Sequence, residues 1–266
     1  MSGPALQPQI DAAKAYEALF VPALFAQYAT KVLDAAQVET GQRVLDVACG
    51  TGVLAREAYK RVGPYGQVAA VDPIAGMLSV ARQLEPAIDW RQGTAESIPF
   101  ADESFDTVVS QFGLMFFNDK RKAIREMSRV LTNDGRLAVA VWDSLDNIPA
   151  YATVDKLLEQ TAGDAAADAL KAPFVLGDRN ELKKIFEDSA NSVEVTTQAG
   201  TAHFPSIRVM VEADLRGWLP MVGVNLSEDQ ISHILHEAES LLRAYASADG
   251  EVTFDLSAHI ITAKKR

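Results

Sequence analysis

An α/β fold, with a parallel sheet covered by helices on both faces, is predicted by three observations in the first half of the chain. Short apolar runs of about five to seven residues alternate with helical patterns. Those runs are apolar at consecutive positions, as strands buried on both faces are. The first run ends in a glycine turn that leads directly into a helix, which is how a βαβ unit begins. The bulk sequence agrees with a packed domain. Its 266 residues are 48% hydrophobic, which suits a sizeable core and argues against disorder. A net charge of −11 disfavours a nucleic acid or an anionic lipid surface as partner. No apolar run approaches the roughly 20 residues of a membrane span, so no integral membrane association is expected. Residues 1–10 lack the basic-then-apolar pattern of a secretory signal. The single cysteine, Cys49, excludes an internal disulfide, fits a reducing cytoplasm and reads as a small buried hydrophobe at a strand end.

The elements follow in order. A helical stretch over 11–37 is interrupted at Pro22, which suits the first turn of a second helix. On it Tyr16, Phe20, Leu24, Phe25 and Tyr28 recur every three to four residues, and this aromatic face reads as core packing. A strand over 43–47 and a helix over 53–62 come next, the helix stopping at Gly63-Pro64-Tyr65-Gly66. Then come a strand over 67–71, a helix over 74–84 ended by Pro86, and a short strand over 88–91. A strand over 105–111, a helix over 120–131, a turn at Asn133-Asp134-Gly135 and a strand over 136–142 complete the regular alternation. Beyond Trp142 the rhythm changes. Helical patterns over 150–161 and 180–189 precede a strand-like run over 193–204. A helix over 227–246 opens on a Ser227/Gln230 capping box and carries the stripe Ile231, Ile234, Leu235, Ala238, Leu241, Leu242 and Tyr245. A strand over 252–263 closes the chain. No linker divides it, so one domain is expected over 1–266, with an N-terminal helical cap at 1–38 and a ligand-binding core at 40–142. The segment 206–248 interrupts strand-like runs and is expected to form a helical lid.

The informative segment is Val44-Leu45-Asp46-Val47-Ala48-Cys49-Gly50-Thr51-Gly52. Its glycines allow a ligand close to the backbone, and the free N–H groups of the following helix attract electron-rich groups. Gly50-Thr51-Gly52-Val53-Leu54-Ala55 also satisfies the relaxed dinucleotide pattern, with Asp72 about 20 residues on. A nicotinamide-dependent oxidoreductase is therefore one reading. Charge placement favours another: a carboxylate at Asp46, immediately before the turn, would repel a pyrophosphate and attract a cationic ligand such as S-adenosylmethionine. Asp72 serves either ligand, since a carboxylate accepts hydrogen bonds from both hydroxyls of a ribose.

Five further blocks follow the glycine segment. They are Val71-Asp72-Pro73 with Met77-Leu78, Gly93-Thr94-Ala95-Glu96-Ser97-Ile98-Pro99-Phe100, Ser104-Phe105-Asp106-Thr107-Val108-Val109, Glu126-Met127-Ser128-Arg129-Val130-Leu131, and Gly135-Arg136-Leu137. On these blocks the chain resembles the class I S-adenosylmethionine-dependent methyltransferases, in particular the small-molecule branch of the ubiquinone and menaquinone C-methyltransferases. The resemblance implies a Rossmann-like seven-stranded sheet in the order 3-2-1-4-5-7-6 with the last strand antiparallel. It implies S-adenosylmethionine as cofactor and S-adenosylhomocysteine as product. By position, Asp46, Ala48, Gly50, Thr51 and Gly52 would bind its methionine part, and Asp72 its ribose. Pro73, Met77, Thr94 and Ala95 would lie around the adenine, with Gln111 near the reacting methyl. The family commonly has Asp where this chain has Thr94, so the adenine amino group would meet a neutral acceptor here.

Methyl transfer to a carbon or oxygen nucleophile of a small, mostly apolar acceptor is the expected activity. A non-catalytic adenosyl-ligand binding protein is the third reading. After the fourth strand the chain reads Ser110-Gln111-Phe112-Gly113, without the Asn/Asp-Pro-Pro-aromatic motif of nucleic-acid amino-methyltransferases. Phe112 and Phe116 are candidates for the acceptor wall, and His203, in Ala202-His203-Phe204, for acceptor contact and general base. His233 and His236 fall on the polar side of the 227–246 helix, and no cluster of acids or histidines calls for a metal.

Overall fold

The alternation that the sequence predicts is present in the computed structural model, which describes residues 6–265. Residues 1–5 of the expected N-terminal cap lie outside the described residues. The first half of the sheet is built from β1 (Arg43–Val47), β2 (Gln67–Asp72), β3 (Asp89–Gln92), β4 (Phe105–Gln111) and β5 (Leu131–Trp142). These strands are parallel to their neighbours, and β1 and β4 sit at its centre. The outer strands β6 (Ala190–Phe204) and β7 (Val252–Lys265) complete a seven-stranded sheet in the order β3-β2-β1-β4-β5-β7-β6. β7 runs antiparallel to both its neighbours, as the resemblance implies.

Helices α3 (Val53–Val62), α4 (Ala75–Leu84) and α5 (Lys120–Val130) are the crossovers of the parallel half. Each buries its apolar stripe on the sheet, Leu54, Ala55, Ala58 and Val62 doing so in α3. The expected turn at 133–135 is absorbed into β5 as a register irregularity. Phe105 faces Leu131 while Thr107 already faces Arg136, so the chain between them bulges from the ladder.

The N-terminal helix is continuous rather than split. α1 (Leu6–Phe20) passes through a π-turn at Val21–Phe25 into α2 (Ala26–Ala35). Pro22 has no N–H to give, and the Ala26 N–H reaches back five residues to the Val21 carbonyl, widening the turn. α2 lies against the edge strand β6, where the Gln27 amide donates to the Thr201 carbonyl at 2.7 Å and accepts from its N–H at 2.9 Å. Gly200 permits that approach, because a Cβ there would meet the Tyr28 hydroxyl at 2.4 Å.

Between β5 and β6 come α6 (Pro149–Ala162), α7 (Asp164–Lys171) and α8 (Arg179–Phe186). The sequence pattern contains α6 and α8 but not α7, whose short Ala-rich stretch shows no long period. Between β6 and β7 come α9 (Ile207–Ala213), a second π-turn at Asp214–Trp218, α10 (Leu219–Met221) and α11 (Glu228–Leu241). α11 opens on the expected Ser227/Gln230 capping box. Its residues Ile231, Ile234, Leu235 and Ala238 are buried, and Leu242 just beyond it is too, but Leu241, expected in the same stripe, is exposed. None of the described helices is long and apolar enough to cross a membrane.

Candidate active site

Two strand-end turns meet at the centre of the sheet. Ala48, after β1, and Phe112, after β4, both adopt the left-handed region, at φ 59° and 56°, which costs a non-glycine residue about 1–3 kcal/mol. The turns touch: a Cβ on Gly113 would lie 2.7 Å from that of Ala48. Between these turns and the helices above them opens a cavity of about 390 Å³, in the range of small-molecule sites.

Its two ends differ in chemistry. At one end lie Asp46, Ala48, Cys49, Gly50, Asp72, Pro73, Met77, Thr94 and Ala95. Asp46 is only 1% exposed, and neither carboxylate oxygen has a hydrogen-bond partner. Burial pushes its carboxyl well above the usual range; the nearby Ala55 backbone N–H opposes this in part, and the Asp72 charge adds to it. Asp72 is raised by burial as well, but it accepts from the Gly50 N–H at 2.8 Å through Oδ2 and from the Ile74 N–H at 2.8 Å through Oδ1. Each of its oxygens retains a lone pair toward the cavity. Burial also raises the Cys49 thiol, consistent with an inert buried hydrophobe.

At the other end the wall is apolar and aromatic. Phe112 stacks on Trp142 at 3.6 Å and meets Tyr28 edge-on at 5.3 Å. Phe116 is half exposed at the mouth and packs against Trp218 at 5.2 Å. Tyr151, Leu170, Pro173 and Phe174 enter from the segment after β5, and Asp214, Trp218 and Met221 from the segment after β6. Gln111 lies between the two ends. Its Nε2 donates to the Phe25 carbonyl at 3.1 Å, while its Oε1 is buried without a partner.

Of the residues expected at the site from sequence, Asp46, Ala48, Gly50, Asp72, Pro73, Met77, Thr94, Ala95, Gln111, Phe112 and Phe116 line this cavity. Three do not. Thr51 and Gly52 lie beneath the turn instead: the Thr51 side chain is buried, and a Cβ on Gly52 would run into Trp90 at 2.3 Å. His203 requires the plainest correction. On β6, Ala202 and Phe204 are buried while His203 is exposed, and by strand alternation it faces away from the core. It is absent from the cavity wall, and nothing in its placement supports a base. His233 and His236 are exposed on α11, as the pattern predicts, and His259 is buried in β7 beside Asp143 at 3.2 Å.

Sequence reasoning found Phe112 and Phe116 but missed the rest of the cavity wall, which the helices supply. Tyr16, Phe20, Leu24 and Phe25 carried a signal in their helical spacing, but they line the cavity rather than only packing in the core, Tyr16 at the cofactor end beside Gly50. Tyr151, Phe174, Asp214 and Trp218 carried none, because they come from helices whose packing on the sheet is a tertiary matter. Glu96 also lines the cavity, but its carboxylate accepts from the Asn118 and Asp119 N–H groups before α5. That commits it to the helix entry rather than to adenine.

Known proteins agree with this architecture. Residues 45–139 match the family model described as a methyltransferase domain. A demethylmenaquinone methyltransferase of Renibacterium salmoninarum is 47% identical over 109 residues, which cover 41% of this chain and 45% of that protein. The ubiquinone/menaquinone biosynthesis C-methyltransferase UbiE of Hahella chejuensis is 43% identical over 121 residues, covering 43% and 49%. The chain thus matches about half the length of these curated relatives. A structure described as a putative methyltransferase from an antibiotic biosynthesis pathway of Anabaena variabilis shares the fold, with a TM-score of 0.63, 18% identity, and coverage of 90% and 96%. The core of this chain is similar to the methyltransferase domain family and has the seven-stranded fold of the class I S-adenosylmethionine-dependent methyltransferases. Within that class it resembles the quinone C-methyltransferases.

The cofactor of this class is S-adenosylmethionine, and the residues present fit it. The two unpartnered oxygens of Asp46 call for a donor or a cation, and the methionine ammonium is both. The lone pairs left on Asp72 suit ribose hydroxyls, and Met77 and Ala95 offer a flat apolar slot for the base. A dinucleotide fits worse. The dinucleotide pattern uses its second glycine to admit a pyrophosphate, but the space at Gly52 is filled by the Trp90 indole.

Proposed function

We propose that this protein transfers a methyl group from S-adenosylmethionine to a carbon or oxygen nucleophile of a small, mostly apolar molecule. The observation that carries this reading is the unpartnered carboxylate of Asp46 at one end of a cavity whose other end is aromatic. When bound, the cofactor supplies an electrophilic methyl. Asp46 would hold its ammonium and Asp72 its ribose, while Pro73, Met77, Thr94 and Ala95 would enclose the adenine. Gln111, Phe112 and Trp142 would border the methyl, the aromatic rings keeping water from it. Orientation and exclusion of water can supply much of the rate for a sulfonium donor, so no base is required unless the acceptor must lose a proton. The segment 206–248 is proposed as a lid, since Asp214, Trp218 and Met221 from it close the acceptor end.

Calorimetry with S-adenosylhomocysteine and with NAD(H), followed by turnover of labelled S-adenosylmethionine with metabolite fractions, tests the reading. Saturable binding of S-adenosylhomocysteine and label in an apolar product are expected. Binding of NAD(H) alone would overturn it, and cofactor binding without turnover on any fraction would favour a sensor.

A further inference from the structure

The buried acids of this protein fall into two groups. Asp143 accepts from Ser257, Asn147 and the Ser144 N–H, and Asp155 pairs with Lys171 at 3.4 Å. Asp72 is held by two backbone N–H groups. Asp46 and Asp214 stand apart. The unpartnered state of Asp46 is accounted for by the cofactor reading. Asp214 lies at the opposite, aromatic end, is 5% exposed, and has no hydrogen-bond or ion-pair partner among the described residues; its Oδ2 is fully enclosed. It opens the π-turn Asp214–Trp218, a local widening that often marks a functional site. None of the residues lining the cavity is Lys, Arg or His, so no cation of the protein neutralises it. Burial alone pushes its carboxyl up to about 8, and its charge contributes to raising the Tyr151 hydroxyl on the facing helix α6.

We propose that Asp214 recognises the acceptor by hydrogen-bonding a hydroxyl, phenolic or enolic, on an otherwise apolar molecule lying among Tyr151, Phe174, Trp218 and Phe116. This deepens the methyltransferase reading and rests on it for the identity of the ligand as acceptor. A buried acid left without a partner costs stability and is kept where a ligand completes it. When ionised the carboxyl needs a donor from the ligand, because none of the described residues supplies one, and when neutral it offers a donor of its own. A hydroxyl suits a carboxyl that both donates and accepts when neutral. An amine suits it poorly: a lone carboxylate holds an amine as the ammonium, whose nitrogen has no electron pair to offer a sulfonium. The surrounding rings give the rest of the ligand an apolar bed.

The probes are β-naphthol and its methyl ether, with benzylamine as a third, titrated into the full-length protein by fluorescence or calorimetry with and without S-adenosylhomocysteine. The protein is expected to bind β-naphthol about tenfold tighter than the ether. Asp214→Leu should erase that preference while leaving the ether and S-adenosylhomocysteine within about twofold. Asp214→Asn should retain part of it, which separates a lost hydrogen bond from a collapsed pocket. Because the variant removes an unsatisfied buried acid, its Tm should rise, a change that a structural role would reverse. No preference for β-naphthol in the wild type, tighter binding of benzylamine, or an unchanged preference in Asp214→Leu would each overturn the proposal. Loss of S-adenosylhomocysteine binding in the wild type with the naphthol pattern intact would instead overturn the functional reading alone.

Discussion

The two ends of the cavity are made in different ways. The cofactor end is largely local: residues 46–50, 72–77 and 94–95 come from the turns that follow three neighbouring parallel strands, which strand pairing brings together, and Tyr16 of the N-terminal helix covers Gly50. The acceptor end is assembled from four distant stretches, the N-terminal helix, the turn after β4, the helices after β5 and the insertion after β6. The first end carries two carboxyls, Asp72 anchored by backbone N–H groups and Asp46 unpartnered; the second carries aromatic rings and one unanswered acid. A cofactor common to many proteins is thus bound by the part of the chain that cannot vary without breaking the sheet. On the proposed reading the acceptor would be bound by loops and helices that can.

The comparison can be broken most sharply at Asp46. Asp46→Asn should weaken S-adenosylhomocysteine about thirtyfold, the equivalent of about 2 kcal/mol for a lost charged hydrogen bond. The same variant should raise the Tm of the ligand-free protein, since the buried carboxyl has no partner there. The sign with pH follows. A carboxyl raised in the folded state binds more protons than in the unfolded one, so the folded protein loses stability as pH climbs above the ordinary carboxylate range. The gain from Asp46→Asn should therefore be larger at pH 8 than at pH 4, which thermal melts at the two values would check. A gain confined to acid pH would contradict a buried neutral Asp46.

Asp72→Ala should differ in kind. Affinity should fall about tenfold, but the Tm should fall too, because the Gly50 and Ile74 N–H groups lose their acceptor. Opposite Tm changes at two carboxylates of one site would sharpen the distinction between an acid awaiting a ligand and an acid that builds the turn. Thr94→Asp should tighten the adenosyl ligand about fivefold, the lower end of what a charged acceptor adds, because position 94 is exposed and partly solvated. An inosyl analogue should gain nothing, and equal gains for both would remove Thr94 from the adenine edge. His203→Ala should leave turnover within twofold, and a larger loss would mean that the outward face of β6 takes part after all.

How far the sequence reached follows the same division. β1, α3 and β4 have the bounds their patterns predict, because each buries one uninterrupted apolar stretch or stripe between strong stop signals. The cofactor residues were legible because ligand contacts recur at fixed offsets from strand ends. Tyr16 and Phe25 show where this fails. Helical spacing shows that a face is apolar, not whether side chains or a cavity lie opposite it. Asp214 had no sequence signal at all: a lone Asp among hydrophobes between two helices reads as a turn residue until the fold encloses it. For His203 the signal was present and misread, since Ala202 and Phe204 already claim the inward face of the strand.

The contact between Gln27 and the edge strand has a consequence beyond the fit of one helix. β6 is fifteen residues long and, among the described residues, has no strand on its outer side. An open ladder of that length invites the same strand of another molecule, and chains that meet this way can grow into insoluble stacks. The Gln27 amide gives Thr201 both hydrogen bonds a visiting strand would give, and Lys31 takes the Ala199 carbonyl beside it. Two side chains thereby close the docking line in its middle, so the longest strand at the rim of the sheet is also a poor template for self-association.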